Sequence, residues 1–299
     1  MCYGELTVEK NFHQPVLLRE VIKMLNPGHE GTYVDATVGS GGHSEEILKS
    51  MGPEGKLIGI DKDDEALKIA GKKLLNRRVI LKKDNFSNME NLLYSEGISQ
   101  VDGVLFDIGV SMLQLKDPER GFSFTSDKPL DMRMDRSQKL TAWDVVNKYP
   151  ERELERILRE FGEEHLSREI ARAIVRQRSK KTIDTCMELA RIVEGVHGRR
   201  GRIHPATKTF QALRIEVNNE LEDLKVGLDS SLRLLKRGGR LCVISYHSLE
   251  DRIVKKFMVD SSRKGLLKII TKKPVTPTLE EIRVNPSSRS AKLRAAERI

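Results

Sequence analysis

The chain has few cysteines and no long apolar run. Its three cysteines, Cys2, Cys186 and Cys242, are too far apart for a disulfide framework or for the close pairs of a zinc site. The seven histidines show no ligand spacing either. We therefore predict no structural metal. No segment approaches the roughly 20 apolar residues of a membrane span, which predicts that the chain has no membrane partner.

The first residues also lack the features of a signal peptide. Glu5 and Glu9 lie there, without an apolar run. We expect a cytoplasmic protein. Hydrophobic residues make up 38% and charged residues 32% of the 299 positions, a composition typical of globular proteins. At about 150 residues per domain, the length fits one large domain or two modest ones.

The net charge of +9 is unevenly distributed. The segments 172–208 and 263–298 each contain ten basic and three acidic residues, so each carries +7 and the rest of the chain carries −5. Basic charge concentrated in this way is typical of proteins that bind nucleic acid, although solvated helix faces produce the same pattern.

A glycine turn between a strand and a helix is the most informative local feature. Tyr33-Val34-Asp35-Ala36-Thr37-Val38-Gly39-Ser40-Gly41-Gly42-His43 is followed by a second strand that ends at Asp61. Glycines allow a tight turn and close approach of a ligand, and the helix amino terminus offers free N–H groups. An acid at the end of the second strand can hold the ribose hydroxyls of an adenosine-containing cofactor.

The glycine spacing favours S-adenosylmethionine (SAM) over a dinucleotide. The dinucleotide pattern G-x-G-x-x-G, begun at Gly39, requires glycine at position 44, where Ser44 stands. Asp35 before the turn resembles the first motif of class I SAM-dependent methyltransferases. A nicotinamide oxidoreductase and an ordinary tight turn stay open as alternatives at this point.

The order of apolar runs predicts an α/β domain interrupted by helices. Strands are predicted at 32–36, 57–60, 79–81, 101–106 and 241–245, with helices between the first four. The region after residue 111 contains no convincing strand, and helices are predicted near 151–161, 164–178 and 182–193. We predict a first part of the methyltransferase domain at 1–111, a helical insertion at 112–215 and a second part at 216–299.

Two further predictions concern the last third of the chain. Apolar residues spaced by three or four, from Phe210 to Leu235, predict one long helix that ends at Gly238-Gly239. The segment 274–286 contains several prolines and is predicted to be a linker, and 287–299 is predicted to be a basic tail.

Asp107 follows an apolar strand, so we expect it at the carboxyl edge of the sheet, where α/β proteins bind ligands. An acceptor there can orient an exocyclic base amine, whose lone pair is delocalised into the ring, and can take up the developing positive charge. The Pro-Pro-aromatic residues that often follow such an acid are missing here. The cysteine positions argue against methylation at cytosine carbon 5, because that reaction needs a cysteine nucleophile near the cofactor.

Several longer motifs resemble the MraW family of bacterial SAM-dependent ribosomal RNA methyltransferases. They lie at 121–124 (GFSF), 129–135 (PLDMRMD), 204–214 (HPATKTFQALR) and 245–252 (SYHSLEDR), and the resemblance runs from about His13 to Arg294. It implies a class I, Rossmann-like fold with an inserted helical domain, and N4-methylation of a cytidine in the decoding region of small-subunit ribosomal RNA. The sequence departs from the family at Val38, where an aromatic is usual, and at Tyr246, where phenylalanine is usual.

The resemblance also implies site residues. The implied cofactor contacts are Gly41, Gly42, His43, Asp61, Phe86, Asp107 and Gln114. Enzymes that modify RNA bases stack an unpaired base on aromatic side chains. We therefore predict that the substrate contacts are Phe122, Phe124, Tyr246 and His247, with Arg199, Arg200 and Arg202 on the RNA backbone. A ribosome assembly factor that has lost catalysis is the remaining alternative, and the sequence leaves the oligomeric state open.

Overall fold

The structure, a computed structural model, describes residues 15–198 and 204–299. A mixed sheet of seven strands organises the chain in the order β3-β2-β1-β4-β5-β7-β6. The strands are β1 (Thr32–Asp35), β2 (Lys56–Asp61), β3 (Val79–Lys83), β4 (Val101–Asp107), β5 (Leu235–Ser245), β6 (Leu267–Ile269) and β7 (Lys292–Arg298). Neighbouring strands from β3 to β5 are parallel, and β7 is antiparallel to both β5 and β6.

Thirteen α-helices occur in the described residues. The first five are α1 (Leu18–Leu25), α2 (Gly42–Ser50), α3 (Asp64–Lys73), α4 (Met89–Ser95) and α5 (Met112–Lys116). The helical segment that follows contains α6 (Ala142–Lys148), α7 (Glu151–Glu160), α8 (Ser167–Arg178), α9 (Cys186–His197) and α10 (Ala206–Asn218). The last three are α11 (Glu220–Leu234), α12 (Ser248–Arg263) and α13 (Leu279–Val284). No helix among them is long and apolar enough to cross a membrane.

The sheet follows directly from its sequence. The central strands are nearly continuous apolar runs, because both of their faces are covered by helices. The five predicted strands are confirmed, each within a few residues, except that β5 begins at Leu235 rather than at Leu241. The strand order, with the single antiparallel strand β7 near one edge, confirms the predicted Rossmann-like methyltransferase fold.

The helical segment has a hydrophobic core of its own. That core runs from Phe122 to Val217 and is separate from the two apolar clusters that cover the sheet. Helices α7, α8 and α9 match the three predicted helices, and the described residues of the segment contain no strand beyond one isolated bridge, Pro129 to Thr185. These observations support an inserted helical domain, and the boundaries at residues 111 and 215 stay a prediction.

The prediction of one long helix from Phe210 to Leu235 is wrong. Asn219 adopts a left-handed conformation with φ of 51°, which ends α10 and starts α11 in a new direction. Asparagine tolerates this conformation better than most residues. Helix α11 ends at Leu234, and Gly238-Gly239 lies within β5 instead of ending a helix.

The prediction of a linker and tail at the carboxyl end is also wrong. Residues 292–298 form β7, which pairs with β5 along six residues and with β6 along three. Helix α13 precedes it, and the Glu281 carboxylate accepts a hydrogen bond of 2.7 Å from the Leu17 N–H. Long-range pairing orders this basic segment, and its short sequence, in which charged residues are mixed with alanines, gives no clear strand signal.

Candidate active site

A cavity of about 640 Å³ opens at the carboxyl ends of the parallel strands. This is the edge at which open α/β sheets bind ligands. Seven of the predicted site residues line it: Gly42, His43, Asp61, Phe86, Asp107, Gln114 and Tyr246. Most of the residues predicted to bind the cofactor therefore lie together in one cavity.

The glycine turn between β1 and α2 forms one wall of the cavity. Gly39 and Gly41 have positive φ angles of 52° and 80°, which side-chain-bearing residues rarely adopt. A Cβ atom at Gly42 would lie 2.5 Å from Pro15, so this position also requires glycine unless Pro15 moves. Gly41 itself packs toward Leu74 and supports the turn from behind the cavity.

Asp61 ends β2 and is tied to the glycine turn. Its Oδ2 accepts a hydrogen bond of 2.8 Å from the Gly39 N–H, and its Oδ1 accepts one of 2.9 Å from the Asp63 N–H. Burial raises the pKa of Asp61 to about 6, and the two backbone hydrogen bonds oppose the increase. Each carboxylate oxygen can accept more than one hydrogen bond, so the two ribose hydroxyls of an adenosine can still bind here.

Phe86 forms an aromatic wall next to Asp61. Its ring packs edge-to-face on Phe106 with centroids 5.4 Å apart, and Gly227 on α11 leaves room behind it. A Cβ atom at Gly227 would lie 2.8 Å from the Phe86 ring. The half-buried ring is therefore fixed by its neighbours while it lines the cavity, as stacking of an adenine requires.

Asp107 lies at the end of β4 with both carboxylate oxygens oriented by neighbours. Its Oδ1 accepts a 2.8 Å hydrogen bond from the Tyr246 hydroxyl, and its Oδ2 lies 3.5 Å from Nδ1 of His43. Its own N–H donates to Thr37 Oγ1 over 2.7 Å. Burial, followed by the negative charge of Asp107, raises the pKa of Tyr246 well above its usual value, so this phenol stays a hydrogen-bond donor.

His43 is fixed from its other side. Its Nε2 lies 2.9 Å from the Val16 carbonyl oxygen, which only accepts hydrogen bonds, so Nε2 carries a proton. Nδ1 is the atom that faces Asp107. The side chain is only 7% exposed, and when the ring is doubly protonated its Nδ1–H holds the Asp107 carboxylate in one position on the cavity wall.

Gln114 connects the cavity to the loop that precedes the helical insertion. Its Nε2 donates to Asp63 Oδ2 over 2.8 Å, and its Oε1 accepts from the Ser111 N–H over 3.1 Å. Arg120, only 1% exposed, donates to the same Asp63 oxygen over 2.8 Å. This network holds the residues after Asp61 against the loop that contains two of the predicted family motifs.

A buried charged cluster next to Tyr246 was not predicted from the sequence. Arg214 donates from Nε and Nη2 to the two carboxylate oxygens of Glu220, each over 2.9 Å. His247 Nε2 lies 2.9 Å from Glu250 Oε1, and Glu250 Oε2 accepts 2.8 Å from the Tyr246 N–H. Motifs at 204–214 and 245–252 contain three of these four residues, but sequence alone does not show that their charges meet.

The cluster contains the one group of possible metal ligands found among the described residues, Glu220, His247 and Glu250. Both oxygens of Glu220 already bind Arg214, and His247 Nδ1 accepts the Glu250 N–H at the start of α12 over 3.5 Å. A guanidinium ion therefore takes the place that a metal ion would need. We interpret the group as an ion-pair network.

Three other predicted substrate residues, Phe122, Phe124 and His247, do not line the cavity. Phe122 is 8% exposed and belongs to the core of the helical segment. Phe124 stacks on His204 with ring centroids 4.2 Å apart, and His247 lies behind Tyr246 at the start of α12. Their roles in substrate binding stay predictions. The predicted backbone contacts Arg199, Arg200 and Arg202 lie outside the described residues.

Neither described cysteine can act as a nucleophile in this cavity. Cys186 and Cys242 are buried, neither lines the cavity, and burial raises the pKa of each thiol to about 12. A thiolate is the reactive form of cysteine, and it is strongly disfavoured at both positions. The third cysteine, Cys2, lies outside the described residues.

Comparisons with known proteins agree with the motifs quoted above. A family model described as the MraW methylase family matches residues 10–299. A protein of Persephonella marina named ribosomal RNA small subunit methyltransferase H is 57% identical over 293 residues, which cover 96% of this chain and 99% of the relative. A protein of the same name from Caldicellulosiruptor saccharolyticus is 50% identical, with the same shares covered. Among solved structures, an rRNA methylase from Streptococcus thermophilus aligns over 94% of this chain and 93% of its own, with a TM-score of 0.44 and 12% identity.

Proposed function

Since the chain belongs to the MraW methylase family, we propose that it methylates the exocyclic N4 amine of a cytidine in the decoding region of small-subunit ribosomal RNA. Membership confirms the predicted family and the predicted methyl donor, SAM. The relatives' shared name supports a ribosomal RNA substrate, and such an enzyme works in the cytoplasm of a bacterium, where the small subunit is its partner.

The position of Asp107 carries the proposal. An exocyclic amine is a poor nucleophile because its lone pair is delocalised into the base. Asp107 lies on the cavity wall with its oxygens fixed by Tyr246 and His43, so it can accept an N–H of the amine and direct the lone pair into the cavity. The same carboxylate can receive the proton that the nitrogen loses after methylation.

The chain provides a matching set of groups for SAM, which supplies an electrophilic methyl group when bound. Asp61 would accept the ribose hydroxyls, and the Phe86 ring would stack on the adenine. The turn at Gly39 to Gly42 leaves space for the methionine portion next to the amino end of α2. Gln114 lines the cavity but is engaged with Asp63 and Ser111, so we propose that it shapes the site from behind.

Tyr246 is the aromatic residue that we favour as a platform for the flipped base. It lines the cavity, and its hydroxyl lies against Asp107, the group that would receive the amine. A base stacked on or beside this ring would present N4 to the carboxylate. For Phe124 to take this role, it would have to leave its stack on His204.

A non-catalytic assembly factor is the second reading, and analysis of cellular RNA separates it from the proposal. Mass analysis of ribosomal RNA from a deletion strain is expected to show the loss of one methyl group from a small-subunit cytidine. Expression of the wild-type gene should restore it, and expression of Asp107→Ala should not. Unchanged methylation in the deletion strain would contradict the proposed activity.

We further propose that assembled small subunits are methylated far better than a short oligonucleotide with the same cytidine. Replacement of Arg199, Arg200 and Arg202 by glutamine should weaken RNA binding and reduce its salt dependence, by a slope of about 0.7 per lost phosphate contact on single strands. SAM affinity should stay the same.

A control triple variant removes the same charge near the amino ends of the strands, opposite the cavity, at Arg77, Arg233 and Arg237. It should bind RNA with the wild-type salt slope. Equal losses in both triple variants, or none in the first, would show that the segment 199–202 is solvated charge.

A further inference from the structure

Arg214 presents a rigidly held guanidinium group to the cavity. Its Nε and Nη2 atoms are occupied by Glu220, and Nη2 also lies 3.8 Å from Glu250 Oε1. In the part of the chain that the structure describes, Nη1 has no hydrogen bond, although Arg214 lines the cavity and its side chain is 16% exposed. The guanidinium therefore has a donor to spare and little freedom to move.

A short series of contacts connects Arg214 to Asp107. Glu250 lies next to Arg214 and accepts the N–H of Tyr246 over 2.8 Å, and the Tyr246 hydroxyl donates to Asp107 over 2.8 Å. Arg214 and Asp107 thus flank the same aromatic residue on the cavity wall. Both residues also line the cavity, so a base placed against Tyr246 can present one edge to an acceptor and a donor.

This arrangement matches the hydrogen-bonding edge of cytosine. The N4 amine donates hydrogen bonds, and the neighbouring N3 and O2 atoms accept them. Uracil has an acceptor at position 4 and an N–H at position 3. The same pair of protein groups would therefore place an acceptor against an acceptor and a donor against a donor. Sites that leave buried polar groups unpaired with the wrong substrate discriminate strongly.

Resting on the function proposed above, we infer that Arg214, held by Glu220, donates from Nη1 to N3 of the target cytosine and selects cytidine over uridine. Three other donors that line the cavity already have partners: Gln114 bonds Asp63, Tyr246 bonds Asp107, and Asn85 bonds Asp223. Arg214 is a specificity-determining residue in this account, and it takes no part in proton transfer.

A double-mutant cycle that combines one substitution in the protein with one substitution in the base tests the inference. Small subunits are reconstituted with RNA that contains either cytidine or 3-deazacytidine, which has C–H in place of N3, at the methylated position. Single-turnover rates at subsaturating RNA are compared for the wild type and Arg214→Lys. Lysine keeps the charge but cannot bind Glu220 with two nitrogens and the base with a third.

We expect 3-deazacytidine to slow the wild type at least tenfold and Arg214→Lys to slow methylation of cytidine by about ten- to a hundredfold. With both changes, the single-turnover rate should be at most about threefold lower than the rate with the more damaging single change, because both changes remove the same hydrogen bond. SAM affinity, measured by calorimetry, should change less than twofold. Arg233→Lys, which alters a similar pair with Glu90 on the surface, is the matched control and should behave as the wild type.

Other outcomes would overturn the inference. If the two changes together reduce the rate by the product of their separate effects, Arg214 does not contact N3. A tenfold loss of SAM affinity would assign Arg214 to the carboxylate of SAM, and a reduced salt slope of RNA binding would assign it to a phosphate. If Arg214→Lys does not fold, Glu220→Gln takes its place in the cycle with the same criteria. Failure of the wild type to methylate ordinary cytidine would instead contradict the proposed function.

Discussion

Replacement of Asp107 by asparagine separates catalysis from binding, because the two side chains have nearly the same shape. The amide oxygen can still accept the Tyr246 hydroxyl, and the amide N–H can donate to Nδ1 of His43. The negative charge and the capacity to take a proton are lost. A positioned acid or base contributes about 10²- to 10⁴-fold to a rate, or roughly 3 to 5 kcal/mol of barrier.

We therefore expect Asp107→Asn to reduce the single-turnover rate at least about 100-fold at saturating SAM and RNA. Rapid quenching of a reaction with labelled SAM measures the chemical step, and doubling both concentrations confirms saturation. Asp107→Ala should be at least as slow, because it also removes the groups that orient the amine. Asp260→Asn on the exposed surface of α12 is the control and should retain the wild-type rate.

A normal saturated rate in these variants would contradict a catalytic role for Asp107. If Asp107→Asn and Asp107→Ala bind SAM more weakly but transfer the methyl group at the wild-type rate once saturated, Asp107 is a binding residue only. The proton acceptor would then have to be water or another group in the cavity.

Three further predictions concern the surroundings of the site. Burial raises the pKa of Asp61 to about 6, and ribose hydroxyls favour the ionised carboxylate, so SAM affinity should fall as the pH decreases through 6. The variant Asp61→Asn should bind SAM about ten- to a hundredfold more weakly and should not show this pH dependence. An unchanged dissociation constant would contradict the ribose contact. The variant Tyr246→Phe should reduce the saturated rate about five- to tenfold, because His43 still holds one oxygen of the Asp107 carboxylate. This reduction is much smaller than the one expected for Asp107→Ala. A reduction as large as that of Asp107→Ala would indicate a direct role for Tyr246 in the reaction. Arg120→Met should lower the free energy of unfolding by about 3 to 5 kcal/mol in denaturant titrations, because it leaves Asp63 buried without its cation, and a change below 1 kcal/mol would contradict this.

The sequence permitted prediction of the sheet and of the cofactor side of the cavity, because these depend on local patterns. The glycine turn, Asp61 and Asp107 lie at the ends of apolar strands, and parallel strands bring their carboxyl ends to one edge. The sheet topology therefore brings the glycine turn, Asp61 and Asp107 together in one cavity. The broken helix at Asn219 had only a weak local signal, since the apolar spacing continues through the break.

Features that depend on distant pairing were not predictable in this way. Strand β7 is ordered by hydrogen bonds to β5 and β6, and its own sequence contains several charged residues and alanines. The pairing of Arg214 with Glu220 requires the turn between α10 and α11. The burial of Phe122 likewise depends on how the helical segment packs, so its aromatic character gave no information about its location.

The identity of the methylated atom tests the central claim most directly. Purified protein is incubated with isotope-labelled SAM and small subunits from the deletion strain, and the RNA is digested to nucleosides for mass analysis against synthetic standards. We predict that the label appears in N4-methylcytidine, at a single position, with the wild-type protein and not with Asp107→Ala. Label in 5-methylcytidine or in a 2′-O-methyl nucleoside, or no transfer at all, would contradict direct methylation of the exocyclic amine.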